Sequence, residues 1–522
     1  MKITKYIAAF SVALSFVACD DYLDTLPDNR AEIDSEEKIA LLLVSAYPES
    51  DYLLLNEYMS DNVDDFGANN PNTDRFLDQV YKWEEITETN NEDPQSLWES
   101  CYQSVAAANQ ALISIEELGD DTTPSLQESK GEALACRAFA HFILVNEFCK
   151  AYNTESSSTD KGIPYVTKAE KELKIHYERG TVAEVYKNIE ADILQAIELV
   201  NNGTSKVKKY HFSKQALYAF AARFYLFTEQ WAKAEQYATL CLGEAPENVL
   251  RDWKEIANMT QKYDAVAYHY VSTSVNSNLL LITAYSSMGL CFGPYRYFSR
   301  YAHGLYLADN ETVNARNVWG VAGYYHEPKE YSATNLEKVV WWKSLYVFEE
   351  LDATNHIGRY RTVYPAFTTD EVLLTRAEAR IMQEKYADAA TDLNIWKNNI
   401  INNNKVELTP ELIQEFYNSV EYSTGLSSTV KKHLNPSFNI GAEGELKETM
   451  LQCVLGFRRI ETLQMGLRWW DIRRYGIEIV RREMNLSSQP YKVTDTLTVD
   501  DPRRQLQIPT DVVSAGFEKN ER

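Results

Sequence analysis

Apolar positions recur along most of this chain at the three-to-four-residue interval of a helix that rests one face on a core. In "PQSLWESCYQSVAAANQALISIEEL", Leu97, Cys101, Val105, Ala108 and Leu112 make one stripe. Pro94 stands at its start, where a missing N–H costs nothing. "SLQESKGEALACRAFAHFILVNEF" follows after a turn containing Pro124, and the two predict a helical hairpin over about 95–149. "TVAEVYKNIEADILQAIELV" opens with Thr181 and Glu184 at the spacing of a capping box. It leads into "SKQALYAFAARFYLFTEQWAKAEQYATLCL", a second helical group over 181–242. Further pairs are predicted over 369–399 and 445–485.

Two of these groups echo each other. "WAKAEQYA" from Trp231 and "YADAATDL" from Tyr386 both place an aromatic, Ala, any residue, then Ala just after a short polar turn. In both, the preceding helix contains Ala-Arg. The pattern resembles tetratricopeptide hairpins, in which antiparallel helix pairs stack on their neighbours. The period is irregular, because insertions at about 51–93, 265–350 and 401–444 separate the pairs. The fold class expected is mainly α, with loop-rich insertions and a few short strands such as "NSNLLLITAY".

Composition adds limits. The 522 residues carry 76 acidic and 52 basic side chains, a net charge of −24, which argues against nucleic-acid binding. Aromatics are abundant, with 34 Tyr, 19 Phe and 10 Trp, and Tyr suits faces that are half wet. The cysteines form no CxxC pair and the histidines no HExxH, so no metal site or cofactor is expected. Most cysteines sit in apolar helical surroundings and read as free core thiols. Asp61, Asp64 and Asp65 before Gly67 miss the alternate spacing of an EF-hand loop and read as a solvated acidic turn.

The first residues read differently. "MKITK" is a positive start, and "YIAAFSVALSFV" is an apolar run too short to anchor in a bilayer. Residues 1–18 are expected to be a signal peptide. Cys19 after Ala18 resembles the bacterial lipobox, with Phe16 where Leu is usual, and is the expected lipidation site. Acyl chains there would hold the protein to a membrane without a spanning helix.

Together, Cys19 with "DDYLD", "GEALACRAFAHFILVNEF…GIPYV", "TDEVLLTRAEA", "RRIETLQMGLRWWDIRRYG" and "DPRRQLQIP" resemble the SusD/RagB family of Bacteroidetes outer-membrane lipoproteins. In the C-terminal block Arg458, Glu461, Gly466, Arg468, Trp469, Asp471, Arg474 and Gly476 match the family pattern. Met465 and Phe457 replace acids, so a thinner acid–arginine network is expected, with Arg468 and Asp471 paired three apart on a helix. The resemblance implies one SusD-like domain over 19–522, lipid-anchored in the outer membrane and facing outward. It implies a SusC-like TonB-dependent β-barrel as partner, over which the protein acts as a lid that delivers a captured glycan. Peptide cargo is the second reading. A surface glycan-processing enzyme is the third, and would need two carboxylates flanking a bond; binding without catalysis is the expectation.

Sugars have apolar C–H faces and polar edges, so capture needs flat rings beside hydrogen-bonding groups. The family's ligand groups come from an early loop and a middle insertion. Here those regions hold Asn70, Tyr81 and Trp83, and Tyr295, Tyr297, Trp319 and Tyr325, which are the candidate ligand residues. Trp98 reads as core, Trp469 and Trp470 as structural, and one of Trp341 and Trp342 is expected to point inward.

Overall fold

The computed structural model describes residues 33–522, apart from 69, 71, 120–122, 169–176, 202–207, 322, 334–335 and 403. The expected signal peptide and Cys19 lie outside the described residues. The fold is mainly α, with most strands in the first two insertions and the rest at 357–368 and 479–497. Helix starts follow local chemistry. Asp93 accepts from Ser96 N to cap Pro94–Leu118, and Thr123 accepts from Leu126 N to cap Pro124–Phe148. Thr181 and Glu184 form the reciprocal capping box that opens Val182–Leu199.

The helices pack in chain order. Pro124–Phe148 lies between Pro94–Leu118 and Val182–Leu199. Lys214–Phe227 pairs with Trp231–Leu242, which meets Thr369–Met382; that helix in turn packs on Tyr386–Ile400 and Leu446–Glu461. Pro124–Phe148 is buried on every side from Ala133 onward, because neighbours cover its whole circumference. The echoed motifs occupy equivalent turns. Glu229 and Glu384 adopt φ of 60° and 62°, each one residue after a helix's C-cap and two before the aromatic that opens the next helix. The region 445–485 holds the short pair Leu446–Glu461 and Arg468–Arg474 and then a strand rather than more helix.

Arginines join these helices from inside. Arg137 grips Asp192 through Nε and Nη2 at 2.7 and 2.8 Å. Arg223 Nε donates to Glu371 at 2.8 Å, and Arg376 grips Asp392 at 3.0 and 2.7 Å. Arg458 grips Asp471 at 2.9 and 3.1 Å, while Arg474 bridges Asp471 and Glu378 at 3.2 and 2.6 Å. Apart from Arg474–Asp471, which lies within one helix, each is a charge-assisted contact between different helices, with the planar fork matched to a carboxylate.

Three expectations are corrected here. Arg468 does not pair with Asp471; it grips Asp61 at 2.9 Å twice, because Asp471 faces the seam where Arg458 and Arg474 already stand. The ion network is dense, not thin, since acids from distant segments fill it: Glu311 meets Arg459, Arg482 and Lys432. Asp61, Asp64 and Asp65 form no solvated turn. Asp64 and Asp65 are buried and Asp61 is half-buried, with Asp64 on Arg482 at 2.7 Å and Asp65 on Arg300 at 2.9 Å. Burial raises the Asp61 pKa, but Arg459 and Arg468 outweigh it and hold the carboxyl below its usual range. The six described cysteines are buried free thiols.

Among the described residues the strands stand in three small sheets. β1 (Asp64–Asp65) pairs with β3 (Tyr301–Ala302) and β8 (Ile479–Met484), and β8 with β9 (Pro490–Leu497). β4 (Lys329–Ala333) and β5 (Leu336–Val340) make a hairpin. β2 (Asn278–Tyr285), β7 (Ile357–Thr368) and β6 (Val347–Asp352) form an antiparallel sheet in the order β2-β7-β6. The C-terminal half of β7 is buried and runs straight into helix Thr369–Met382, while its N-terminal half and β6 project as a ribbon.

One buried acid makes stability depend on pH. Burial raises the Glu147 pKa to about 7, with only partial relief from Arg473 and from Asn56 and Trp470, which donate to Oε1 at 2.8 and 2.7 Å. A carboxyl raised in the folded state stabilises below its unfolded pKa and loses that contribution as pH rises through the folded value. Glu147 should therefore cost about 2–3 kcal/mol between roughly pH 4.5 and 7. Glu147→Gln keeps an acceptor for both donors, and thermal melts across that window should show a smaller fall in Tm for the variant.

Candidate functional site

The candidate residues from the early loop are packing residues. Trp83 is 1% exposed, and its indole N–H donates to Met59 O at 2.9 Å. The Arg481 guanidinium lies 4.1 Å from its ring and 4.0 Å from that of Tyr81, so one cation joins both aromatics. Tyr81 is also buried and stacks on Tyr301 at 4.1 Å. Asn70 is buried and reaches Ser299 O at 3.4 Å. Trp319 is 4% exposed, held against Phe457 at 4.9 Å and Trp396 at 6.2 Å. The aromatic that replaces a family acid, Phe457, thus builds the slot that buries Trp319. Trp341 and Trp342 both point inward, where one was expected. Trp98, read as core, is buried as well.

Trp83, Tyr81, Trp319 and Asn70 therefore offer no open face to a ligand in this conformation. Trp319→Ala should behave as a core deletion and cost about 3–5 kcal/mol. A denaturation series checks this, and a ligand platform would instead lose affinity at unchanged stability.

Tyr295 and Tyr297 are exposed, at 38% and 42%, and they lead to a larger feature. The Tyr295 ring lies 4.6 Å from Tyr346, Tyr346 lies 5.9 Å from Tyr360, and Tyr360 lies 5.5 Å from Phe348. Tyr346 is half-buried; the other three are open to solvent. The rings make one continuous row. Behind it, buried Tyr263 meets Tyr295 edge-on at 5.4 Å and Trp342 at 6.3 Å. Tyr297 stands apart against Tyr331 at 6.1 Å. Tyr325 is half-buried beneath Lys254, whose ammonium lies 5.1 Å from its ring, and lies outside the row.

The ribbon of β6 and β7 explains why the rings line up. Phe348 faces Tyr360 directly, and Glu349 faces Arg359 at the next position. Alternation then divides the ribbon into two faces. One carries Phe348 and Tyr360. The other carries Glu349, Arg359 and Arg361, with both arginines donating to Tyr285 Oη at 3.2 and 2.9 Å. Two glycines allow the close approach. A Cβ on Gly289 would lie 2.7 Å from Leu345 O and 2.8 Å from Tyr346 Cβ. One on Gly358 would lie 2.4 Å from Glu349 O and 2.5 Å from Phe348 Cζ.

Polar chemistry accompanies the rings. Tyr295 Oη donates to exposed Asp264 at 3.0 Å, and burial together with that carboxylate keeps the phenol protonated. Rings beside carboxylates can stack on C–H faces and accept from hydroxyls. Sequence reasoning named Tyr295 as a candidate but not Tyr346, Phe348 or Tyr360, which stand in the same row. Their signal was available in "LYVFEE" and "GRYRTVY", where aromatics and charges share strands that alternate faces. Among the described residues no cluster of three His, Cys, Asp or Glu side chains could hold a metal, and no helix is long and apolar enough to cross a membrane.

Comparison with known proteins places this architecture. Residues 21–226 match the SusD-like family described as starch-binding and associating with the outer membrane. SusD-like protein P38 of Formosa agariphila is 23% identical over 490 residues, covering 88% of each chain. A SusD superfamily protein from Bacteroides thetaiotaomicron has the same fold, with a TM-score of 0.65, 16% identity and coverage of 94% of this chain and 100% of its own. A putative sugar binding protein from Bacteroides vulgatus aligns with a TM-score of 0.62 and 17% identity, over 94% and 99% of the two chains.

Proposed function

We propose that this chain, which matches the SusD-like family model over residues 21–226, captures a glycan at the outer membrane on the row Tyr295–Tyr346–Tyr360–Phe348. The row itself carries the reading. Four rings in sequence, held by a strand pair and two glycine contacts, are a prepared surface that pays little ordering entropy on binding. Soluble folded proteins rarely spend so many exposed aromatics in one place without a partner.

The captured chain would pass to a TonB-dependent barrel of the SusC type, with this protein as the lid and an acylated Cys19 as the tether. Binding rather than turnover fits a site made of platforms and acceptors. The test is calorimetry of the mature protein, without Cys19, against a panel of glycans and peptides, with Tyr346→Ala beside it. One glycan class should bind, about ten-fold or more weaker in the variant. Equal affinity in both proteins, or binding of peptides alone, would refute the role of the row.

A further inference from the structure

A carboxylate stands at each end of the row, and one of them, Glu350, lies 3.0 Å from His356 Nδ1. Asp264 stands at one end, exposed and already accepting from Tyr295 Oη. Glu350 stands at the other, exposed, opposite Gly358 and therefore on the same face of the ribbon as Phe348 and Tyr360. The cations are turned elsewhere. Arg359 and Arg361 lie on the opposite face, bonded to Tyr285, with Arg361 also on Glu349 at 2.5 Å. Half-buried Arg296 directs Nη1 toward Cys291 Sγ at 3.8 Å and Asp74 at 3.9 Å. Lys338 is buried and donates to Cys291 O and Arg296 O. Lys329 lies over Trp342, 5.5 Å from its ring.

We propose that this row selects uncharged glycans and rejects sulfated or uronic-acid chains, with Asp264 and Glu350 as the specificity-determining residues. The inference rests on the capture function proposed above. A neutral sugar offers hydroxyl donors, and a carboxylate is an acceptor-only group that pairs with them. A sulfate or carboxylate on the sugar has no proton to offer at neutral pH, and it brings a like charge toward two fixed anions. At a solvated site such a contact costs on the order of 1 kcal/mol, about five-fold in affinity per charge. The net charge of −24 works in the same direction at longer range.

The experiment uses the mature protein and matched polysaccharide pairs. One member of each pair is neutral, and the other carries sulfate or free uronate on the same backbone. Affinity electrophoresis or calorimetry is run at pH 8 in 20 mM and 300 mM salt. Tyr360→Ala locates binding to the row, and Asp264→Asn/Glu350→Gln removes the proposed discriminators.

A neutral member should bind with little salt dependence, lose affinity in Tyr360→Ala, and exceed its charged partner by at least about five-fold at low salt. The double variant and high salt should each shrink that gap. Tighter binding of the charged member, lost in Tyr360→Ala, would overturn the selectivity while leaving the capture site intact. A gap unchanged in the double variant would overturn the roles of Asp264 and Glu350. Absence of binding to every pair would defeat the capture reading and this inference with it.

Discussion

Asp471→Ala should unfold much of this protein's stability margin, by about 3–5 kcal/mol. Asp471 is 1% exposed and receives Arg458 at 2.9 and 3.1 Å and Arg474 at 3.2 Å. Its pKa lies below the usual carboxylate range, because these arginines outweigh the burial that would raise it. Deleting it leaves two buried guanidinium groups sharing one remaining carboxylate, Glu378, which Tyr475 also contacts at 2.7 Å. The loss would spread across helices Thr369–Met382, Leu446–Glu461 and Arg468–Arg474, since the arginines and acids come from all three. Chemical denaturation should show a lower midpoint for the variant. A midpoint unchanged from wild type would mean that the network holds geometry without contributing stability. Asp471→Asn, which retains one acceptor, should lie between the two.

That network also shows what the chain made readable and what it hid. Helices announced themselves through caps and stripes: Thr181 with Glu184, Pro94, and the repeated Ala-Arg segments are local signals, and local signals survive in one dimension. Pairing partners do not. Arg468 sits three residues from Asp471 yet bonds Asp61, and nothing near either residue in sequence specifies a contact across some four hundred positions. The acidic turn was misread for the same reason. Asp64 and Asp65 look solvated until Arg482 and Arg300 arrive from distant segments.

Aromatic residues were misassigned by a related limit. A tryptophan among polar or glycine neighbours can still face a pocket built elsewhere, as Trp319 faces Phe457 and Trp396. Exposed rings are better found by strand parity than by neighbour polarity. In "GRYRTVY", Arg359 and Arg361 flank Tyr360, so one face must take the ring and the other the cations. The large middle insertion stands out in the sequence for its aromatics, and Tyr295 is the ring within it that the structure leaves exposed beside Tyr346. Of the rings that complete its row, Tyr346 and Phe348 lie within the same insertion and Tyr360 lies just beyond it on β7.

The strand pair gives a lesion of the opposite kind from Asp471. Gly358→Val should abolish glycan capture while sparing the helical scaffold. Gly358 faces Glu350, next to a register irregularity between Glu350 and Asp352 where the strands close tightly. An added Cβ would meet Glu349 O at 2.4 Å, a backbone atom of the partner strand that cannot rotate away, and the Phe348 ring at 2.5 Å. Relief requires the strands to part or slip by one residue. A slip would exchange the faces of the ribbon and present Arg359 and Glu349 where Tyr360 and Phe348 stood. The projecting half of the ribbon is exposed, so the damage should stay local, with far-UV helicity and melting temperature changed little. Affinity for the identified glycan should fall at least as far as in Tyr346→Ala, although no ring has been removed. If capture survives Gly358→Val with wild-type affinity, the alignment of Phe348 and Tyr360 is irrelevant to binding and the site must lie off the ribbon. If both capture and helicity collapse, the ribbon is part of the folding core and its role as a separable platform is wrong.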